Sequence, residues 1–313
     1  MALFIARRLL SGIFLLFVLS SATYFLLFFS TSNVALNILG DLATAEQLAA
    51  KNAELGLDRP ILERWIDWLA AAVQGDFGKS WFKNLAIVDQ LSQRLPVTLT
   101  LVAITIVLAA LFATALGMAA AVKGGWLDRT VQTLAVAGFA VPNFVVAIFA
   151  VTFFAIQWKL LPATGWVPFQ ISPELWIRSL ILPVLALVLA TVASSAQQIR
   201  SAIKKNLEMD WVRTLRARGL SEPEILFKHV LRASAPAGLT VLSLQFVGML
   251  GGTVIIEQIF ALPGMGFLAV ESTFLGDTPV VMGVVVYTVV VVIVVNLIVD
   301  LVNGWLNPKV RVQ

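Results

Sequence analysis

Few residues in this 313-residue sequence have side chains suited to catalysis or to metal binding. Cysteine is absent, and histidine occurs once, as His229. The lack of cysteine excludes a disulfide framework, a thiolate nucleophile and a cysteine-based metal site. A single histidine also removes most general-base chemistry and most metal sites. We therefore predict no catalytic residue, no metal site and no bound cofactor on this chain.

The longest polar run in the second half of the chain lies between Arg200 and Arg232, with strongly apolar sequence on both sides, and it carries a large share of the positive charge. Gly219 stands where a helix should end, in the left-handed conformation that glycine adopts at little cost. Ser221 can cap a second helix, with Glu224 completing a capping box and Pro223 in the first turn. The pattern predicts two short helices joined by a tight turn, a structured element on which another molecule can dock.

The composition assigns the chain to a broad class. Hydrophobic residues make up 59% of the sequence and charged residues 13%, whereas a soluble domain carries about 25% charged residues. This deficit predicts a polytopic membrane protein. No Gly-x-x-x-x-Gly-Lys-Ser/Thr phosphate loop is present, so the chain has no visible means of binding ATP.

Six apolar runs each reach the roughly 20 residues needed to cross a bilayer. They lie at 9–29, 95–121, 131–155, 179–199, 237–261 and 280–302. A cleaved signal peptide is the alternative for the first run, but that run exceeds the ~7–15 apolar residues of a signal peptide and no clean cleavage site follows. The prediction is an all-α membrane protein with six transmembrane helices. Val141–Pro142–Asn143 should break the third span.

The basic residues of the short connections predict the orientation. One side holds Arg7 and Arg8, Lys123 and Arg129, the Arg200–Arg232 cluster, and Lys309 and Arg311. The other side holds only Lys159 and Arg178 in its short loops. Positive residues favour the cytoplasmic side, so both termini are predicted to be cytoplasmic. The polar region 30–93 is then extracytoplasmic, with a helix after Pro60 and with tryptophans suited to the membrane surface.

Charge is scarce within the spans. The second, third and fourth contain no ionisable residue, while Glu257 and Asp300 lie toward the ends of the fifth and sixth. This argues against a proton-driven carrier, although sodium coupling through carbonyls and hydroxyls stays open. A stand-alone sodium-coupled carrier or channel is therefore one alternative.

Polar side chains within the spans are the candidates for a translocation path. They are Asn143, Gln197, Gln198, Gln245 and Glu257. Each of the amides could equally form an interhelical hydrogen bond. Small residues at Gly248, Gly251 and Gly252 predict close helix packing.

Three functions are compatible with the basic loop. Basic residues beside a membrane contact anionic lipid headgroups, but this explains neither Gly219 nor Ser221. A DNA-reading helix–turn–helix is disfavoured because the segment is too short to fold alone. Docking of a cytoplasmic motor subunit explains the structured turn and supplies the drive that the spans lack.

The segment Asp210–Arg232 reads DWVRTLRARGLSEPEILFKHVLR. It resembles the cytoplasmic coupling loop, or EAA motif, of binding-protein-dependent ABC importer permeases, and most of all their peptide/nickel/opine branch. The directly fitting residues are Asp210, Arg213, Thr214, Arg216, Ala217, Gly219, Leu220 and Ser221. Trp211, Leu215 and Arg218 replace the usual Tyr, Ala and Lys. Arg213 also stands where the wider superfamily has the Glu that names the motif.

The resemblance extends over nearly the whole chain. Similar stretches include ELGLDRPILERWIDWL, GDFGKSW, QRLPVTLTL, WLDRTVQTLAVAGFAVPNF, KLLPATGW, EQIFALPGMGFLAVEST and the sixth span with its tail. The long region between the first two spans resembles that of the B-type permease subunit. The apolar runs and the resemblance together divide the sequence into an N-terminal segment with the first transmembrane helix (1–29), an extracytoplasmic region (30–93) and a five-helix permease core (94–313) with the coupling loop 200–235.

The resemblance implies a type I ABC importer fold and a set of partners. These are a second permease subunit, two cytoplasmic ATPases that carry ATP and Mg, and an extracytoplasmic substrate-binding protein, in the cell membrane of a bacterium. The implied substrates are di- or oligopeptides, with nickel, opines or glutathione-like molecules as alternatives. The expected ATPase-coupling residues are Asp210, Arg213, Thr214, Arg216, Ala217, Gly219, Leu220, Ser221, Glu222, Glu224, Leu226 and Lys228, and we hypothesise that residues 220–228 insert into a groove of an ATPase.

Overall fold

The structure, a computed structural model, describes residues 2–30 and 34–306. These ranges are helical apart from their connecting loops and one isolated bridge between Lys79 and Ala86. The chain forms two compact units, Met1–Thr98 with Pro263–Val294 and Leu99–Leu262 with Val295–Gln313. The predicted cytoplasmic residues Lys309 and Arg311 lie outside the described residues.

The first unit contains the N-terminal helices and the helices that precede and form the sixth span. Its elements are α1 (Ala2–Ser30), α2 (Val34–Leu39), α3 (Ala45–Glu54), α4 (Ile61–Val73), the beginning of α5 (Ile87–Lys123), α12 (Met265–Leu275) and most of α13 (Thr278–Leu306).

The second unit contains the remainder of α5 and the helices of the middle of the chain. They are α6 (Gly125–Ala140), α7 (Asn143–Ala150) with its π-helical continuation Val151–Gln157, α8 (Pro173–Leu207), α9 (Asp210–Ala217), α10 (Glu222–Glu224) with its π-helical continuation Ile225–Val230, and α11 (Leu231–Ile259).

The described helices provide five or six candidate membrane spans, and six were predicted. Five are single helices long and apolar enough to cross a bilayer, and the α6–α7 pair makes the sixth when it is counted as one span. Several helices extend beyond the predicted apolar runs. The second, for example, covers Ile87–Lys123 rather than 95–121, because the polar residues that flank an apolar run can continue its helix.

The third span is bent by 89° between α6 and α7. The proline ring disfavours a helical conformation at the preceding residue, and Val141 is accordingly extended, with φ −91° and ψ 118°. Pro142 also lacks the N–H that would continue the helical hydrogen bonds. The predicted break at Val141–Pro142–Asn143 is confirmed, and it changes the direction of the chain.

The helix predicted after Pro60 forms as α4, and one of its edges packs along α1. The ring centroids of Trp65 and Phe17 lie 5.9 Å apart, as do those of Trp68 and Tyr24. The opposite edge, with Leu62 and Ile66, is exposed. Helix α4 thus packs against α1 through one face only.

The loop before α5 is fastened by one buried carboxylate, that of Asp277. Asp277 is 2% exposed; it accepts hydrogen bonds from Ser80 Oγ at 2.5 Å and from the Trp81 backbone N–H at 3.1 Å. Lys83 adds an ion pair with Glu271 at 2.9 Å. Residues from the long polar region are therefore held against the α12–α13 turn.

Candidate functional site

Helix α9 is amphipathic and is anchored by its inner face. Val212 is fully buried and Leu215 is half-buried, whereas Arg213 and Thr214 are exposed. Val212 belongs to an apolar cluster that we call the anchor cluster, comprising Ala113, Ala196, Ile199, Ile203, Val212, Ile225 and Val230. The cluster joins α9 to α5, α8 and the beginning of the fifth span. The polar outer face of α9 is therefore held on a fixed base.

The turn after α9 is a Schellman motif. Gly219 has φ +80°, the left-handed conformation predicted from the sequence. Its N–H donates to the Arg216 carbonyl at 2.9 Å, and the Leu220 N–H donates to the Leu215 carbonyl at 3.3 Å. These are the two hydrogen bonds that define the motif. Leu215 and Leu220 both pack against the anchor cluster, which supplies the hydrophobic contact that usually accompanies it.

Ser221 caps the next helix, but the predicted capping box is only half formed. Its Oγ accepts a hydrogen bond from the Glu224 backbone N–H at 3.4 Å. The Glu224 carboxylate does not return to Ser221, because its Oε1 accepts from Lys228 Nζ at 3.3 Å. The cap thus gives a partner to one of the backbone N–H groups in the first turn, which have no acceptor within the helix.

A bidentate ion pair closes the turn. Arg216 Nε and Nη2 donate to the two Glu222 carboxylate oxygens at 2.6 and 3.1 Å. The hydrogen bonds to Glu222 raise the pKa of Arg216, which keeps the guanidinium charged. The pair links the last turn of α9 to the first turn of the following helix; because both side chains are exposed, it adds only a small contribution to the angle that the backbone sets.

The second short helix predicted for this segment is in fact the beginning of the fifth span. Residues Glu222–Ile259 form one helical stretch of 38 residues through the π-helical segment. On the other side, α8 continues to Leu207 and only two residues separate it from α9. The sequence prediction of an independent second helix was wrong, since the polar residues here extend a spanning helix. A displacement of the turn therefore acts directly on that helix.

Most of the predicted coupling residues lie on the surface. The exposed ones are Asp210, Arg213, Thr214, Arg216, Ala217, Gly219, Ser221, Glu222, Glu224 and Lys228. Leu220 and Leu226 are half-buried and pack against the anchor cluster. These two leucines hold the turn in place rather than projecting from it.

Three exposed apolar side chains near the turn were not predicted as coupling residues. Met209 is 41% exposed, Trp211 36% and Phe227 58%. The helical phase of α9, with Val212 and Leu215 inward, is the signal that would have placed Trp211 outward. The sequence offered no such signal for Phe227, since its helix is π-helical at that point.

Arg200, the first residue of the basic stretch, is not available for docking. Its guanidinium donates to both carboxylate oxygens of Asp128, and both side chains are largely buried. Asp128 lies in the first turn of α6. This pair ties α8 to α6 within the second unit.

The candidate path residues line neither of two larger cavities in the second unit. Gln245 donates to Ser194 Oγ at 2.9 Å, so the interhelical hydrogen bond is the interpretation that fits it. Asn143 is half-buried at the start of α7, Gln197 is exposed on α8, and Glu257 is fully buried in α11. Cavities of about 450 and 470 Å³ in this unit are lined by apolar side chains, and none of these residues lines them.

Within residues 2–30 and 34–306 no group of three or more His, Cys, Asp or Glu side chains could hold a metal ion. The site offers binding surfaces and mechanical continuity with the fifth span.

Comparisons with known proteins agree with this character. The sequence pattern of the family described as binding-protein-dependent transport system inner membrane component matches residues 113–312, and the pattern of that family's N-terminal region matches residues 1–102. A putative peptide transport system permease protein of Brucella abortus is 34% identical over 99% of both chains. The glutathione transport system permease protein GsiC of Escherichia coli K12 is 32% identical over 98% of both.

The fold also has a counterpart among solved structures. A chain of the methionine ABC transporter MetNI, in an inward-facing conformation, matches with a TM-score of 0.57 at 16% identity. The match covers 70% of this chain and 97% of that one. At this identity the similarity concerns the fold alone.

Proposed function

This chain belongs to the family of binding-protein-dependent transport system inner membrane components, and we propose that it is a permease subunit of an ATP-driven importer of di- or oligopeptides in a bacterial cell membrane. As a member of that family it is a multi-pass membrane protein that works with other transporter subunits. Full-length similarity to proteins named as peptide permeases, in Brucella abortus and in Sinorhizobium fredii, supports the peptide substrate.

A glutathione-like substrate is the second candidate, and the GsiC relative favours it. Glutathione is itself a small peptide, so the two candidates share backbone amides and a carboxylate. Identification of the ligand that copurifies with the partner substrate-binding protein distinguishes them. A bound nickel chelate or opine would contradict both.

We infer that the segment Met209–Lys228 docks on a cytoplasmic ATPase subunit. The observation that carries this inference is the anchored Schellman turn, whose following helix continues into the fifth span. A push on α9 or on the turn reaches the membrane helix without a flexible link. The chain itself contains no phosphate loop, so ATP and Mg belong to the partner.

Helix α11 of this chain offers a surface that suits the second permease subunit. Leu244, Gly248, Gly251 and Ile255 follow one face of this helix and are exposed. A Cβ built on either glycine meets nothing within 4 Å. Small residues allow a neighbouring helix to approach closely, and within the described chain no such neighbour is present. We propose that this face packs on the second permease.

The absence of native cysteine makes a clean test possible. Thr214→Cys introduces one thiol on the exposed face of α9, and Leu42→Cys introduces one at a residue that is 98% exposed in the long polar region. In whole cells, a membrane-impermeant maleimide should label only Leu42→Cys. After permeabilisation, a short bifunctional reagent should join only Thr214→Cys to the ATPase.

The opposite labelling pattern would overturn the orientation. Crosslinking of the ATPase to Leu42→Cys, or to neither variant, would overturn the docking site. Uptake of substrate into vesicles that lack any ATPase would instead support the stand-alone sodium-coupled carrier.

A further inference from the structure

Helix α4 of the long polar region carries three different edges. The first packs against α1 through Trp65 and Trp68. The second is charged, with Glu63 and Asp67 exposed and paired with Arg59 at 3.5 and 2.8 Å. The third is apolar, and neither transport nor docking of an ATPase gives it a role.

The apolar edge consists of three large side chains in line. Leu62 is 58% exposed, Ile66 56% and Val73 82%. Residues at these spacings lie on the same side of an α-helix. Single exposed apolar side chains are ordinary, whereas a continuous apolar edge next to a charged one makes a helix amphipathic. We call Leu62, Ile66 and Val73 the apolar edge of α4.

The level of α4 in the bilayer follows from its contacts with α1, whose apolar stretch ends at Phe28. The Arg64 guanidinium lies 6.0 Å from the Phe28 ring centroid and also interacts with Tyr24. The Trp68 ring lies 5.9 Å from the Tyr24 ring, which is about 6 Å before Phe28 along the helix. Arg64 thus lies at the end of the span, as is typical of a basic side chain that keeps its charge near water, and Trp68 lies inside the span.

The contact made by Trp65 is deeper still. Its ring lies 5.9 Å from both Phe17 and Phe25, and the midpoint of these two residues is about 10 Å before the end of the span. Trp68 is about 40° and Trp65 about 100° around the axis of α4 from Arg64, in the same direction. The contacts with α1 therefore move into the bilayer as one goes around α4 in this direction.

The apolar edge continues this progression. Leu62, Val73 and Ile66 lie about 160°, 180° and 200° around the axis from Arg64. They are on the side of α4 opposite the guanidinium that reaches the end of the span, and this side faces the interior of the bilayer. The charged edge lies on the side of α4 that is turned away from α1.

We propose that α4 is embedded in the leaflet that holds the C-terminal end of α1, with its apolar edge in contact with lipid acyl chains. Amphipathic helices at membrane surfaces bury their apolar face by about 5–10 Å, which agrees with the depths at which Trp68 and Trp65 contact α1. The charges of Glu63 and Asp67 are balanced by those of Arg59 and Arg64, so burial of apolar side chains holds the helix rather than attraction to anionic lipid. Part of the polar region after α1 is then a membrane-bound element.

The test measures the depth of single nitroxide labels on the full chain. Because the chain lacks cysteine, each variant carries one label when its partner subunits are cysteine-free. Ile66→Cys and Val73→Cys place the label on the apolar edge, and Glu63→Cys places it on the charged edge of the same helix. Leu42→Cys, at a residue that is 98% exposed, is the reference for water.

The labelled transporter is placed in phosphatidylcholine nanodiscs, and power-saturation EPR compares collisions with oxygen and with the water-soluble nickel ethylenediaminediacetate. Oxygen concentrates among acyl chains and the nickel complex in water. We expect the ratio of oxygen to nickel collisions to be several-fold higher at the two apolar-edge positions than at Glu63→Cys or Leu42→Cys. Phosphatidylcholines that carry a nitroxide at a known chain position supply the depth scale. Should Ile66→Cys fail to assemble, Leu62→Cys on the same edge replaces it.

Two other outcomes are distinct and would overturn the proposal. Ratios at the apolar edge equal to those of Glu63→Cys or Leu42→Cys would place this edge in water or among the headgroups. Few collisions with either reagent would mean that protein covers the edge, as in an interface with the second permease or with the substrate-binding protein.

Discussion

The turn at Gly219 allows a graded prediction, because the cost of a side chain there is purely conformational. The residue has φ +80°, and an added Cβ would meet nothing within 4 Å. A non-glycine residue in the left-handed region costs about 1–2 kcal/mol, and a β-branched residue lies at the upper end of this range or above it. Asparagine tolerates the region better than alanine does. The coupling of ATP hydrolysis to transport should therefore decrease in the order Gly, Asn, Ala, Val for the residue at position 219.

The magnitude follows from the same figure. A cost of about 1–2 kcal/mol lowers the ratio of molecules with the Schellman turn formed to molecules with it broken by a factor of about 5–30. The Schellman hydrogen bonds and the buried Ile225 oppose opening, so Gly219→Ala should retain partial coupling and Gly219→Val little. The assay is peptide-stimulated ATP hydrolysis in proteoliposomes that contain the full transporter and its binding protein. Recovery of the ATPase with the purified permease is measured in parallel.

A matched control is Gly238→Ala on α11. There the added Cβ would lie 3.6 Å from Ile199, an ordinary van der Waals distance, and the backbone is helical. The same substitution should be neutral or should stabilise the helix by up to about 1 kcal/mol. If Gly219→Val kept both the stimulation and the ATPase recovery of the unsubstituted protein, the turn could not be the element that couples ATP hydrolysis to transport.

Four further predictions concern other contacts. Gly117→Ala would place a Cβ 2.8 Å from a backbone carbonyl oxygen of α8, and backbone cannot move aside as a side chain can, so overpacking should cost about 1–3 kcal/mol in thermal unfolding. Ser80→Ala removes a donor to the buried Asp277 carboxylate and should cost about 1–3 kcal/mol. Burial raises the pKa of Asp277 above that of an unfolded aspartate, which is about 3.9. The folded protein therefore gains stability from the protonated carboxyl group below that pH and loses it as the pH rises through the folded pKa. Asp277→Asn should flatten this part of the Tm–pH curve. Exchange of charges in the double variant Arg216→Glu with Glu222→Arg should restore coupling that either single reversal impairs.

The predictions for Gly117, for Asp277 and for the exchange of charges each have an outcome that contradicts them. An unchanged Tm for Gly117→Ala would mean that α5 and α8 do not approach as closely as the structure has them. If the Tm–pH curve of Asp277→Asn ran parallel to that of the unsubstituted protein, the pKa of this carboxyl group would be the same in the folded and unfolded states. A double charge reversal no better than the single ones would assign Arg216 a direct contact with the ATPase instead of a contact with Glu222.

The features that could be predicted from the sequence are local in the chain. Gly219 and Ser221 determine a helix stop and a helix start within three residues, and Pro142 determines the break of the third span from the chemistry of its own ring. The number of spans follows from apolar length. Each of these depends on neighbours in sequence, so composition and spacing are sufficient.

The features that escaped prediction depend on distant residues or on competing local signals. Ser80 and Asp277 are 197 residues apart in the sequence, and the residues beside each of them do not indicate that the two side chains are paired. The continuation of the fifth span to Glu222 was missed because a polar, proline-containing start is also typical of a short surface helix. Only the burial of Ile225 and Val230 beside α8 decides between the two.

The positive charge of the Arg200–Arg232 stretch explains less of the docking surface than its abundance suggests. Arg200 forms an ion pair with Asp128, and Arg216 forms one with Glu222. Arg213 and Lys228 each pair with a carboxylate of their own helix. Exposed pairs of this kind contribute little to binding energy, whereas exposed aromatic side chains are enriched where partners bind most tightly. Trp211 and Phe227 are therefore the stronger candidates for contact energy. The turn, and through it the fifth span, is then held mainly by the Schellman hydrogen bonds and the buried anchor cluster, and only weakly by the paired charges.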